Sequence, residues 1–122
     1  SALSGFHYHA AQERMAFRPV VHEKRFDCFW SVDGGWGVYR QKTGMFGLHS
    51  EMEVLQGQLR LRTIGLPPIG RKEEGDSLVI KVECGERLID SRGVISGKSS
   101  QIELQEPIVL TPGQILTLEI RK

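Results

Sequence analysis

Little in this sequence is in excess, and its shortages narrow what the chain can be. Only two cysteines, Cys28 and Cys84, occur in 122 residues, too few for a disulfide-built scaffold. A single bridge between them is open from sequence, and so are two buried thiols, because both lie among apolar residues. Sixteen basic residues stand against fifteen acidic ones, a formal charge of +1. Nucleic-acid binding relies on a concentrated positive face, so no nucleic-acid partner is expected. No apolar run approaches the ~20 residues of a membrane-crossing helix, and no secretion signal stands at the start. The expectation is therefore a cytoplasmic chain with no membrane partner.

What is present is alternation. Hydrophobic residues make up 39% of the chain and charged residues 25%, the balance of an ordinary folded domain. A chain of this length fits one domain, residues 1–122, and buries roughly two-thirds of its unfolded surface. Most segments read in period two, the signature of half-buried strands. Phe6 to Ala10 alternates, Gln12-Glu13-Arg14 suits a hairpin turn, and Met15-Ala16-Phe17 follows. Arg25 to Val32 carries Phe26, Cys28 and Trp30 on one face, and Asp33-Gly34-Gly35 marks a sharp turn into Trp36 to Gln41.

Met45 to Leu55 and Leu59 to Ile64 are separated by Gln56-Gly57-Gln58, which reads as a hairpin connection. The second of these segments lacks a clean inner face. Leu66-Pro67-Pro68 breaks any ladder, because proline cannot donate to it. Ser77 to Val82, Arg87 to Asp90, Ile102 to Leu104, Ile108 to Leu110 and Ile115 to Ile120 resume the strand pattern, while Gly93 to Ser100 reads as a polar, flexible stretch. Nine to eleven short strands at turn spacings of about 8–12 residues predict an all-β fold, a two-sheet antiparallel β-sandwich. Only residues 1–5 and 50–55 leave room for helix. The expected core comprises Phe6, Tyr8, Met15, Phe17, Phe26, Trp30, Val38, Leu61, Val82, Leu104, Leu118 and Ile120.

Candidate chemistry is sparse. His7, His9 and Glu13 stand in an HxHxxxE spacing that resembles the first metal-binding motif of the cupins, and imidazole with carboxylate suits zinc, iron or manganese. That motif's flanking glycines and its second half, with a final histidine, have no counterpart here. The two histidines are instead expected to face outward on an edge strand, and no metal or other cofactor is expected. His22 and His49 have no nucleophile or carboxylate at a catalytic spacing. Glu23, Asp27 and Asp33 lie close in sequence, but a glycosidase pair must face across a cleft about 5–10 Å wide. The aromatic cluster says more. Phe26, Phe29, Trp30, Trp36 and Tyr39 fall within fourteen residues. Exposed rings there make a sugar-stacking platform or a domain interface, and buried rings make core.

Three segments form a familiar series. Residues 1–19 open with Ser1-Ala2-Leu3-Ser4-Gly5-Phe6-His7-Tyr8 and close with Met15-Ala16-Phe17-Arg18-Pro19. Phe26-Asp27-Cys28-Phe29-Trp30-Ser31 and Gly35-Trp36-Gly37-Val38-Tyr39-Arg40-Gln41 follow. The series resembles the C-terminal end of bacterial six-hairpin glycosidases of the non-lysosomal glucosylceramidase (bile-acid β-glucosidase) type, glycoside hydrolase family 116. It covers about the first forty residues. The resemblance implies that residues 1–5 are the remnant of a preceding barrel helix. It also implies that the rest is a non-catalytic accessory domain packing on an (α/α)6 catalytic barrel, whose carboxylates lie outside this chain. On that reading no residue here is catalytic. Trp30, Trp36, Tyr39 and Arg40 are the candidate contacts with carbohydrate or with the helical domain, and a homodimer of the separate domain is a further expectation.

Overall fold

The computed structural model describes residues 6–17, 25–44, 47–66, 79–95 and 100–121. Eleven strands account for nearly all of them: β1 (Phe6–His9), β2 (Arg14–Phe17), β3 (Arg25–Val32), β4 (Gly35–Gly44), β5 (Gly47–Gly57), β6 (Leu59–Leu66), β7 (Val79–Cys84), β8 (Arg87–Ile89), β9 (Ser91–Ile95), β10 (Ser100–Leu110) and β11 (Ile115–Arg121). One 3-10 turn, Ala10–Gln12, closes the first hairpin. The strands form two sheets, ordered β1-β2-β6-β10-β9 and β3-β4-β5-β11-β7-β8. The protein is an all-β sandwich.

Alternation explains the packing. On β5, Leu48, Ser50, Met52 and Val54 point inward, while His49, Glu51 and Glu53 stay partly exposed. On β11, Leu116, Leu118 and Ile120 do the same. The five-stranded sheet answers with Met15, Leu59, Leu61, Ile64, Leu66, Ile102, Leu104 and Leu110, all buried. Such a two-faced core is the dominant stabilising term, at roughly 1.5–3 kcal/mol for each fully buried large aliphatic side chain. The sheets approach closely where Gly93 of β9 stands opposite Ile80 of β7, since any Cβ there would collide with the Ile80 δ-methyl.

Several expectations change. The 50–55 segment lies wholly within β5 and is not helical. Gln56-Gly57-Gln58 is not a hairpin, because β5 and β6 belong to opposite sheets. The chain turns this corner with Gly57 at φ 80°, and Gln58 N–H donates to the Gly34 carbonyl at 3.0 Å. Ile102–Leu104 and Ile108–Leu110 are one strand, β10, with Pro107 lodged in an irregularity, where a missing N–H is tolerated. Gly93 to Ile95 is strand, within β9. The sheets are not purely antiparallel, since β2 runs parallel to β6. Val38 faces outward on β4, with Trp36 and Arg40, and is no core residue. Tyr8 and Phe26 pack on the core from its margin. The side chains of Phe6 and Phe17, and the suggested helix remnant at 1–5, lie outside the described residues.

Candidate functional site

Strand parity divides the aromatic cluster between two faces. Phe26, Cys28 and Trp30 point inward from β3, and Gly37, Tyr39 and Gln41 from β4. Trp30 is 1% exposed and Tyr39 fully buried. The Trp30 indole lies over Gly37, its partner in register, where a side chain would obstruct the ring. Tyr39 packs on Phe26 with ring centroids 6.3 Å apart, and its hydroxyl donates to Gln41 Oε1 at 2.7 Å. Burial raises the Tyr39 phenol well above its usual range, while the neighbouring Ser50 hydroxyl acts the other way. Burial, with a smaller contribution from Asp27, pushes the Cys28 thiol up to about 11. Cys28 therefore carries almost no thiolate at neutral pH. Both cysteines are free thiols.

The outward positions are different. Phe29 is 68% exposed, and Trp36 and Leu55 are each 41% exposed. Phe29 pairs across strands with Val38, Trp36 precedes Val38 by one outward position, and Leu55 sits beside them as the unpaired residue of a bulge. That bulge arises because Trp36 faces Gln56 while Gly37 faces Val54. The Trp36 indole is oriented by its Nε1–H, which donates to Gln56 Oε1 at 3.2 Å. Phe29, Trp36, Val38 and Leu55 thus form one apolar patch at the β3 edge of the six-stranded sheet.

Beyond the patch the same face carries paired charges, with Val79 and Leu88 exposed towards its β7–β8 end. Arg40 donates to Glu53 at 2.7 Å and lies 3.8 Å from Glu51. His49 meets Glu119 at 3.3 Å, and Lys81 meets Glu83 at 3.4 Å. Of the sequence candidates, then, Trp36 and Arg40 are surface neighbours, whereas Trp30 and Tyr39 belong to the core. The structure provides no joint tryptophan platform. Phe29 and Leu55 escaped selection from sequence. Both were legible by parity: Phe29 alternates against Phe26, Cys28 and Trp30, and Leu55 against Ser50, Met52 and Val54, while the bulge adds Gln56 to the outward face.

The remaining constellations separate. Glu13, at φ 52° after the 3-10 turn, directs its carboxylate to Arg60 Nε at 2.6 Å. His9 is exposed and stands opposite Arg14, and the His7 side chain lies outside the described residues. Among the described residues no group of three His, Cys, Asp or Glu side chains is placed to hold a metal ion. Asp27 lies outward on β3 beside Arg25, 3.7 Å away, while Asp33 sits in the turn. Six extended residues separate these two carboxylates by roughly 20 Å, beyond the span of a glycosidase pair. Glu23 lies outside the described residues.

No protein-family model matches the chain, and no curated protein matches it. What fold and surface define is a class, an all-β sandwich with an apolar patch of Phe29, Trp36, Val38 and Leu55 on the outer face of its six-stranded sheet.

Proposed function

We propose that the chain is a non-catalytic accessory domain of a glycoside hydrolase, docking on a helical catalytic domain through the β3–β5 end of its six-stranded sheet. The enzyme class in this reading rests on the resemblance carried by residues 1–41. The observation that carries the docking is the patch of Phe29, Trp36, Val38 and Leu55. At those exposures it offers on the order of 300–400 Å² of apolar surface.

Size argues for a tethered partner. Inter-domain interfaces within one chain bury about 600–1,500 Å² in total, so roughly 300 Å² a side suffices at the low end. A stable complex of separate molecules commonly takes about 800 Å² from each partner. A covalent connection supplies an effective concentration in the millimolar range, which lets a small patch stay docked. The paired charges around it, Arg40 with Glu53 and Glu51, give a polar rim.

The test uses the reading frame that encodes this chain together with any helical region joined to it. In that whole protein, replacing Phe29 and Trp36 with serine should lower the temperature at which glycosidase activity is lost. The separate sandwich, carrying the same changes, should melt unchanged. Identical inactivation of the two whole proteins, or the lack of any helical catalytic region in the frame, overturns the proposal. Dimerisation of the separate domain through Phe29 and Trp36 would assign the patch to a second copy instead.

A further inference from the structure

The opposite face of the sandwich carries a feature that the docking reading does not use. On β6 the N–H groups of Arg62 and Thr63 both donate to the Glu13 carbonyl, at 2.8 and 3.2 Å, the mark of a β-bulge. On neighbouring β10 the register jumps, with Glu103 opposite Thr63 but Ile108 opposite Leu61, so residues 104–107 face Arg62 alone. Two irregularities side by side open a depression of about 640 Å³ in the five-stranded sheet, within the range of roughly 300–1,000 Å³ usual for ligand pockets.

Its lining is polar and carries charges of both signs. Leu104 borders the floor but is buried in the core, so the accessible lining is mainly polar. Arg62, Thr63, Asp90, Ser91 and Gln105 surround it with polar groups. Arg92 and Glu103 make a wall whose charges already satisfy each other, at 2.7 Å, with Gln101 donating to the same carboxylate. The backbone is also tied down, since Gln105 N–H donates to the Asp90 carbonyl at 3.0 Å. Among the described residues, neither the Arg62 guanidinium nor the Asp90 carboxylate holds a hydrogen bond or salt bridge.

One donor fork and one acceptor carboxylate, flanked by hydroxyls and an amide, are complementary to groups that both donate and accept. Vicinal hydroxyls do so. A carboxylate accepts from two adjacent hydroxyls, and a guanidinium donates to their oxygens. Balanced charge disfavours a simple anion. We propose that this depression binds a neutral saccharide, with Asp90 and Arg62 as the principal hydrogen-bonding residues.

The experiment is an amide-resolved NMR titration of the chain with methyl β-glucoside and with cellobiose, set beside sodium sulfate and glycylglycine. The sugars should shift the amides of Arg62, Thr63, Ser91 and Gln105 with millimolar affinity. Asp90→Ala and Arg62→Ala should each weaken that binding about tenfold or more. Both side chains are exposed, so both variants should fold, and their melting curves check this. Equal shifts from sulfate or from glycylglycine would make this a charge site and overturn the saccharide. Absence of shifts overturns the site. Sugar-induced shifts that survive both substitutions, or that centre on Trp36, place binding elsewhere and overturn it too. Only shifts centred on Trp36 would also bear on the docking patch, which lies on the other sheet.

Discussion

Gly37 is where the packing can be tested hardest. It faces Trp30 in register beside the β5 bulge. A Cβ added there would lie 2.8 Å from Trp30 Cζ2 and 2.9 Å from the Glu53 carbonyl carbon, and closer still to the carbonyl oxygen. The ring could tilt, but the Glu53 carbonyl belongs to the β4–β5 ladder and cannot yield without breaking register. Overpacking of this kind costs about 1–3 kcal/mol, and a backbone obstacle argues for the upper end. Alanine also restricts the unfolded chain, which offsets about 0.4–1 kcal/mol. The net expectation for Gly37→Ala is a loss of about 2 kcal/mol, a large fraction of a stability of about 5–15 kcal/mol.

For a domain of this size that loss corresponds to a fall in Tm of about 8 °C. Calorimetry measures it, and the emission of buried Trp30 should shift to the red if the ring is displaced. Gly34→Ala is the control. Its Cβ meets only the Gln58 carbonyl oxygen, at an acceptable 3.4 Å, so its Tm should change by about 2 °C at most. If Gly37→Ala melts with the control, the close approach of β4, β5 and Trp30 is wrong.

Tyr39→Phe should cost about 1–3 kcal/mol in denaturant unfolding, because it leaves the buried Gln41 Oε1 without its 2.7 Å donor. Cys28 and Tyr39 both have folded pKa values raised chiefly by burial, so their contribution is fully present below their unfolded values and is lost as pH rises through the folded ones. For Cys28 that window runs from 9.0 to about 11; Tm should decline across it, whereas a decline confined to acid pH would contradict the assignment. Alkylation of Cys28 at pH 7 should be far slower than that of a model thiol, measured by mass spectrometry. The chain alone should not hydrolyse aryl β-glucosides; turnover abolished by Asp27→Asn or Asp33→Asn would show that the carboxylate geometry had been misjudged.

Much of the fold was legible because strand faces follow parity. Phe26, Cys28 and Trp30 share a face in sequence and in space, and Asp33-Gly34 forms the tight β3–β4 turn. Sheet membership was not legible. Gln56-Gly57-Gln58 has the composition of a hairpin, yet Gly57 turns the chain across the sandwich, and nothing local distinguishes these outcomes. The same limit applies to Thr111-Pro112-Gly113, which carries β10 of one sheet into β11 of the other. Val38 was misplaced because aromatic and β-branched residues occupy both faces of β4, leaving hydrophobicity unable to choose the inner one. The uneven inner face of Leu59 to Ile64 did signal something real. Leu59 and Leu61 point inward before the bulge, Ile64 and Leu66 after it, and the phase changes at Arg62 and Thr63.

Both surface features proposed for function sit where that alternation fails. The β5 bulge turns Gln56 onto the same face as Leu55, where it holds the Trp36 indole; a regular ladder would have sent Gln56 inward. The irregularities of β6 and β10 spread apart strands that are otherwise hydrogen-bonded along their length, and the depression opens where they diverge. Each bulge leaves a residue unpaired and weakens its ladder, so each works against stability. Regular pairing elsewhere supplies the margin: β11 runs in unbroken register with β5 over seven residues and with β7 over six. The central ladders thus hold the sandwich together. The apolar patch and the polar depression lie on opposite outer faces, so a partner docked on one sheet, as proposed, would leave the depression on the other open to solvent.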